Sequence, residues 1–245
     1  MQTRSNPQPI RETLVLVNRI LAMEGVVGPF GHVSARSEDG QTFWVGDHRS
    51  PDAVTLERLE SVSIEVTIEE ARARHLYLEV FIHSAVYRTL PSVKAVVHTH
   101  SPYALALGTL PHRQEKVIPI TNPGANLGNF IPVFSKVGLI DAPEKGTEVA
   151  GALQGQNAVL LRGHGTVVVG DRLEQAALRA IYLESEARSQ IWSRAAGDPI
   201  PYENRESDLF RHTRATKHAW DYYVEKLERL SPDSSGLTPS AGSRP

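Results

Sequence analysis

Val96-Val97-His98-Thr99-His100 ends an apolar run with two histidines one residue apart. Successive side chains of an extended strand alternate faces, so His98 and His100 point the same way. A second run, Leu160-Leu161-Arg162-Gly163-His164-Gly165-Thr166-Val167-Val168-Val169, sets a third histidine between glycines at a strand end. Taken singly, each histidine reads as a satisfied polar residue near the end of a strand. Taken together, two imidazoles on one strand face and a third from a glycine-flanked turn make a facial metal site. Zinc and other first-row ions accept such nitrogen ligands and can keep positions open for water or substrate.

Working outward from this pair, helical and extended patterns alternate. Upstream, residues 68 to 90 read as one helix with Pro91 after its end, followed by the strand at 93 to 98 and a short helix at 103 to 107. Nearer the start, Ile10, Leu14, Val17 and Leu21 recur at helical spacing, with Gly25 as a stop. Two short extended runs, 32 to 36 and 42 to 45, flank Asp39-Gly40 and read as a hairpin. Downstream, residues 117 to 120 and 131 to 134 read as strands whose prolines place them at edges or irregularities. A helix at 147 to 153 feeds a strand at 158 to 162, and a further strand follows at 166 to 169. Two long helices, to about Ala196 and from Glu206 to Leu230, complete the pattern. Strands mixed with helices, without internal repeat or linker, indicate one layered α/β domain over residues 10–230, with a flexible start at 1–9 and a disordered tail at 231–245.

Bulk properties narrow the chemistry. A chain of 245 residues can bury one substantial core. The net charge of −2 gives no footprint for nucleic acid or an anionic membrane surface. No apolar run reaches the ~20 residues that span a bilayer, and the first residues lack the apolar segment of a secretory signal. The expectation is therefore a cytoplasmic protein. With no cysteine in the chain, disulfides, thiolate nucleophiles and thiolate-ligated zinc are excluded. Any metal must be held by histidine, carboxylate, carbonyl or water.

Glu79 lies in the otherwise apolar Leu76-Tyr77-Leu78-Glu79-Val80-Phe81-Ile82. Burial would raise its pKa and a neighbouring cation would lower it, so it is a candidate proton carrier or a displaceable ligand. The ordinary alternative is a helix-surface glutamate paired with His75 or His83, four residues away on either side.

The order Gly31-His32-Val33-Ser34-Ala35-Arg36, then Glu79, His98-Thr99-His100 and Gly163-His164-Gly165 resembles the class II aldolase/adducin family over roughly Ile10 to Ala196. The resemblance implies an α/β/α sandwich with a central mixed, largely antiparallel sheet. It also implies that His98, His100 and His164 are metal ligands and that Glu79 is the catalytic acid/base. Family members are commonly cyclic homotetramers with sites near subunit interfaces, so a homo-oligomer is expected. The implied cofactor is one divalent ion per subunit (manganese, zinc, cobalt or iron(II)), with no organic cofactor.

Departures from the family pattern are equally informative. Its sugar-phosphate aldolases grip phosphate with a Gly-Asn-x-Ser turn, a Thr-Gly turn and a Ser-Ser pair before the glutamate. Here His32 stands where asparagine is expected, the second region reads Gly46-Asp47-His48-Arg49-Ser50-Pro51, and the third is Leu76-Tyr77-Leu78. A phosphate cradle needs backbone N–H groups and small hydroxyls, which the leucines remove. Arg49 offers a planar fork suited to a carboxylate, with His32, Ser34 and His48 as further substrate-binding candidates. The Gly-His-Val-Ser turn and the Arg-Ser-Pro loop resemble a branch of the family that decarboxylates hydroxylated aromatic dicarboxylates, such as 3-hydroxy-2-methylpyridine-4,5-dicarboxylate and dihydroxyphthalates. The leading expectation is thus a metal-dependent decarboxylase acting on a small carboxylate. An aldolase on a non-phosphorylated hydroxy-keto acid or sugar is the alternative. An adducin-like interaction module comes last, because such members lose the metal ligands that this chain keeps. Asn122, Asn126 and Asn129, and Tyr222 and Tyr223, are further residues that could complete a site; turn formation and helix packing are their simpler uses. For Arg36 an ordinary ion pair is expected.

Overall fold

A computed structural model describes residues 10–48, 50–111, 115–203 and 213–230. The expected flexible start, the tail, the first residues of the last helix and Arg49 lie outside them.

Helix α1 (Ile10–Met23) buries Leu14, Val17 and Leu21 on one side, as their spacing requires. The hairpin follows as β1 (His32–Arg36) and β2 (Thr42–Gly46), turning through Gly40 at φ 71°. A strand that the sequence did not announce, β3 (Leu59–Ser63), adds to β2. Only its Leu59 and Val62 are buried, so no period-2 pattern marks it.

The single helix expected over 68 to 90 is two, α2 (Ile68–Ala73) and α3 (Val80–Thr89). The break has an identifiable cause. Leu76 N–H bonds Ala71 O at 2.9 Å and His75 N–H bonds Arg72 O at 3.1 Å, the paired bonds of a Schellman ending. The residue in the left-handed position is His75, at φ 52°, where glycine usually stands. Without that glycine, the sequence carries no stop signal.

Next come β4 (Ala95–Thr99), α4 (Pro102–Thr109), β5 (Lys116–Val117) and β6 (Ile131–Phe134). Helix α5 (Pro143–Ala152) begins a turn earlier than expected, with proline in its first turn. Strands β7 (Ala158–Leu161) and β8 (Gly165–Gly170) precede the long α6 (Leu173–Ala196) and α7 (Thr213–Leu230). The eight strands run β3-β2-β1-β4-β8-β7-β6-β5 across one sheet, in which β6–β7 is parallel and the other neighbours are antiparallel. The proline-containing β6 lies one strand in from the edge formed by β5.

Alternation along the central strands builds a core on each face. Val33, Ala35, Ala95, Val97, Leu160 and Val168 join the cluster under α1, α4 and α6. Phe43, Val45, Val96, Val159, Val167 and Val169 join the cluster under α3 and α5. Helices therefore cover both faces of a mixed, largely antiparallel sheet. On the second face, the odd-one-out strand is β1, whose His32, Ser34 and Arg36 are buried and polar. His98 continues that same face at the end of β4, paired in register with His32.

Candidate metal centre

Three elements deliver the histidines to one point. β4 ends at Thr99, so His98 is held in the ladder opposite Val167 of β8, while His100 sits just beyond the strand. The β7–β8 turn carries His164 back beside this end. Gly163 supplies the positive φ of 65° that the turn needs. Gly165 is required by proximity: a Cβ there would lie 2.1 Å from Thr99 O and 2.9 Å from the His100 ring. The three imidazoles form a nearly equilateral triangle, with ring centroids 4.8, 4.9 and 5.1 Å apart.

Glu79 closes the cluster as the residue before α3. Its Oε1 is 2.9 Å from His164 Nε2, and its Oε2 is 3.2 Å from His98 Nε2 and 4.0 Å from His100 Nε2. Neither His75 nor His83 is its partner. Ile140 N–H, at 3.4 Å from Oε1, is its backbone contact. Burial pushes the carboxyl pKa up, but the close His164 and His98 imidazoles outweigh that and hold it well below the usual carboxylate range. His100 is pushed down to about 4, first by burial and then by the neighbouring imidazoles.

The donor chemistry fits a cation. His98 Nδ1 lies 2.9 Å from Thr166 O, which can only accept, so the proton sits on Nδ1 and Nε2 presents a lone pair. That lone pair faces the Glu79 carboxylate at 3.2 Å and His100 Nε2 at 2.9 Å. Converging lone pairs repel unless a positive charge stands among them. Glu79, His98, His100 and His164 each offer one ligand atom, all within 4.8 Å of one another, and together could hold a metal ion.

Beside the cluster the sequence signals were weaker. His32 is buried, its ring 5.0 Å from that of His98 and 4.8 Å from that of Tyr77. His48 is exposed, with its ring 4.9 Å from that of Tyr77. Ser34 is fully buried, with its hydroxyl held between His83 and Tyr87. Arg36 makes no ion pair among the described residues; it donates to the carbonyls of Val93, Gly40 and Tyr87 and lies over the Tyr87 ring. Asn122 donates to the Tyr202 hydroxyl in the segment after α6, and Asn126 donates to Pro123 O within its own loop. Tyr223 packs on the core beneath α7, while Tyr222 is exposed. His83, Tyr77 and Tyr87 were missed. The available signal was polar spacing: residues 32, 34 and 36 share one strand face, and 83 and 87 share one helix face. Near the cluster, Phe30 is 70% exposed with its ring 6.3 Å from that of His100, and Leu78, next to Glu79 in the chain, is 58% exposed.

The chain belongs to the family of the class II aldolase and adducin N-terminal domain, whose pattern matches residues 12–191. Among curated relatives, it is 31% identical over 174 residues to the 4-hydroxy-3-prenylphenylpyruvate oxygenase/4-hydroxy-3-prenylbenzoate synthase of Streptomyces roseochromogenus subsp. oscitans. That match covers 69% of this chain, which spans only 62% of the relative's length. It is 30% identical over 205 residues to the 3,4-dihydroxyphthalate decarboxylase of Arthrobacter keyseri, covering 78% of this chain and 81% of that one. The solved L-fuculose 1-phosphate aldolase from Glaciozyma antarctica PI12 superposes with a TM-score of 0.70 at 25% identity, covering 91% of this chain and 90% of that chain.

Proposed function

We propose that this protein is a divalent-metal-dependent lyase that decarboxylates a hydroxylated aromatic or heteroaromatic acid. The observation that carries the reading is the residue composition just before Glu79 and beside His100. Where phosphate recognition needs small hydroxyls and free N–H groups, the chain has buried Leu76, exposed Leu78 and an apolar Phe30 within 6.3 Å, ring to ring, of His100. Such surroundings favour a flat apolar ring that carries its anionic groups at one edge. The resemblance to a dihydroxyphthalate decarboxylase points the same way.

In this reading His98, His100 and His164 hold the ion, with Glu79 as a ligand that gives way to substrate. A bound divalent ion supplies Lewis acidity toward an adjacent carboxylate and hydroxyl and stabilises the charge left when CO₂ departs. The remaining chemistry belongs to the chain. Glu79 is ionised at neutral pH, so it accepts the proton of the ring hydroxyl as substrate enters. It then returns that proton to the ring carbon as the carbon–carboxylate bond breaks. Arg49, His32 and His48 are proposed to receive the second carboxylate. A homo-oligomer, expected from the family, is part of the same proposal.

Aldol cleavage of a non-phosphorylated hydroxy-keto acid or sugar is the second reading, favoured by the likeness to a fuculose-phosphate aldolase. The same residues would then stabilise an enediolate in place of ring charge. Mass spectrometry of products separates the two. Loss of CO₂ from a dihydroxyphthalate with the ring intact supports decarboxylation; cleavage of hydroxy-keto acids to an aldehyde, with dihydroxyphthalates untouched, replaces it by the aldolase.

A further inference from the structure

A file of buried polar groups runs from the candidate metal centre into the core between β1 and α3. His32 Nδ1 lies 2.6 Å from His83 Nε2; His83 Nδ1 lies 2.6 Å from Ser34 Oγ; Ser34 Oγ lies 2.7 Å from the Tyr87 hydroxyl. Each contact is short enough to be a full hydrogen bond, and each must contain one proton. Ser34 and His83 are fully buried and Tyr87 nearly so, so none of these three donors can turn to water instead.

The direction of the file follows from its inner end. The Tyr87 phenol has one proton, and Ser34 Oγ, at 2.7 Å, is the hydrogen-bond partner of its oxygen. Ser34 Oγ is therefore the acceptor open to Tyr87 O–H among the described residues. Ser34, having accepted, turns its own proton to His83 Nδ1. His83 then carries its proton on Nε2 and donates it to His32 Nδ1. A His83 protonated on both nitrogens would donate to His32 in the same way. The reverse direction would strand the phenol proton against another donor in a dry core, at the cost that makes such orphans rare.

We infer that His83 is a positioning residue: with Ser34 and Tyr87 behind it, it fixes His32 in the tautomer whose Nδ1 accepts and whose Nε2 bears the proton. The consequence falls at the site. Nε2 takes no protein partner among the described residues, and the ring stands between Tyr77 and the ligating His98. His32 thus presents a neutral N–H rather than a lone pair. It cannot compete with His98 for a cation, and it is set to donate to an oxygen of whatever occupies the centre. Under the lyase reading, on which this last step rests, that oxygen belongs to a substrate carboxylate or ring hydroxylate.

The test is a long-range ¹H–¹⁵N correlation spectrum of the full-length protein, labelled with ¹⁵N-histidine and loaded with zinc, with His32 assigned through His32→Asn. The expected spectrum shows a pyridine-like Nδ1 and a pyrrole-like Nε2 for His32. His83→Gln, whose amide can accept from Ser34 and donate to His32, should preserve that pattern; His83→Leu should lose the single tautomer. A proton on His32 Nδ1 in the wild-type protein would overturn the inference, as would a His83→Leu spectrum equal to wild type. Should the leucine variant fail to fold, the wild-type spectrum alone decides. No substrate enters the measurement, so a wrong tautomer leaves the decarboxylase reading standing, and failure of that reading leaves the tautomer standing.

Discussion

At the scale of single residues, Glu79 and His98 are asked to do different work, and substitution should separate them. His98 offers its Nε2 lone pair because Nδ1 is tied to Thr166 O. His98→Ala should bind less metal by at least tenfold, read by isothermal titration with Zn²⁺ or Mn²⁺; unchanged affinity would remove it from the ligand set. Glu79→Gln keeps three imidazoles and should still take up the ion, while turnover falls by roughly 10²-fold or more, the usual scale for losing an acid/base group. A Glu79→Gln enzyme with normal turnover would exclude the proton role. The three histidines were legible from strand alternation and glycine flanks. Glu79 was legible from its apolar setting, although its neighbours were not. His83, which the ordinary alternative offered beside His75 as a partner of Glu79, bonds His32 and Ser34 instead, because the helix that would have aligned 79 with 83 begins only at Val80.

At the scale of elements, two backbone positions hold the centre together. Gly165 lets the β7–β8 hairpin pass against the end of β4, where a methyl group would meet Thr99 O and the His100 ring. Gly165→Ala should lower stability by about 1–3 kcal/mol and weaken metal binding along with it; a chemical denaturation curve and a metal titration that both match wild type would contradict this. His75 has the reverse character. It occupies a left-handed position that glycine adopts without strain, so His75→Gly should raise stability by about 0.5–1 kcal/mol in urea denaturation, and a loss would show that its side chain matters more than its φ. The same residue explains why one helix was read where two exist: the ending is made by backbone bonds and leaves no mark in residue type. β3 was invisible for a related reason, since an edge strand with two buried residues has no period to read. At the sheet centre, β4, β7 and β8 were legible because each alternates between two apolar clusters.

At the scale of the whole molecule, the layered fold follows from that two-sided burial. Among the described residues no helix is long and apolar enough to cross a membrane. The buried polar file makes the fold sensitive to acid. Burial pushes the His83 pKa down to about 3, so below pH ~6.5 the unfolded chain takes up a proton that the folded chain refuses. Stability should be flat above that pH and fall on acidification by up to ~1.4 kcal/mol per pH unit from this residue alone. Ionised Glu79 adds loss of the same sign at lower pH, because its folded pKa is depressed and the unfolded carboxylate protonates first. Thermal melts of wild type and His83→Gln between pH 7.5 and pH 4.5 check this; equal slopes would contradict it. The central claim, metal-dependent decarboxylation at the Glu79–histidine cluster, is tested most directly by CO₂ evolution from ortho-hydroxylated aromatic dicarboxylates as Mn²⁺ is titrated into chelator-stripped protein. The account predicts release with at least one such substrate, rising with bound metal to one ion per chain and abolished by His98→Ala. No release from fully loaded protein across the panel would contradict it.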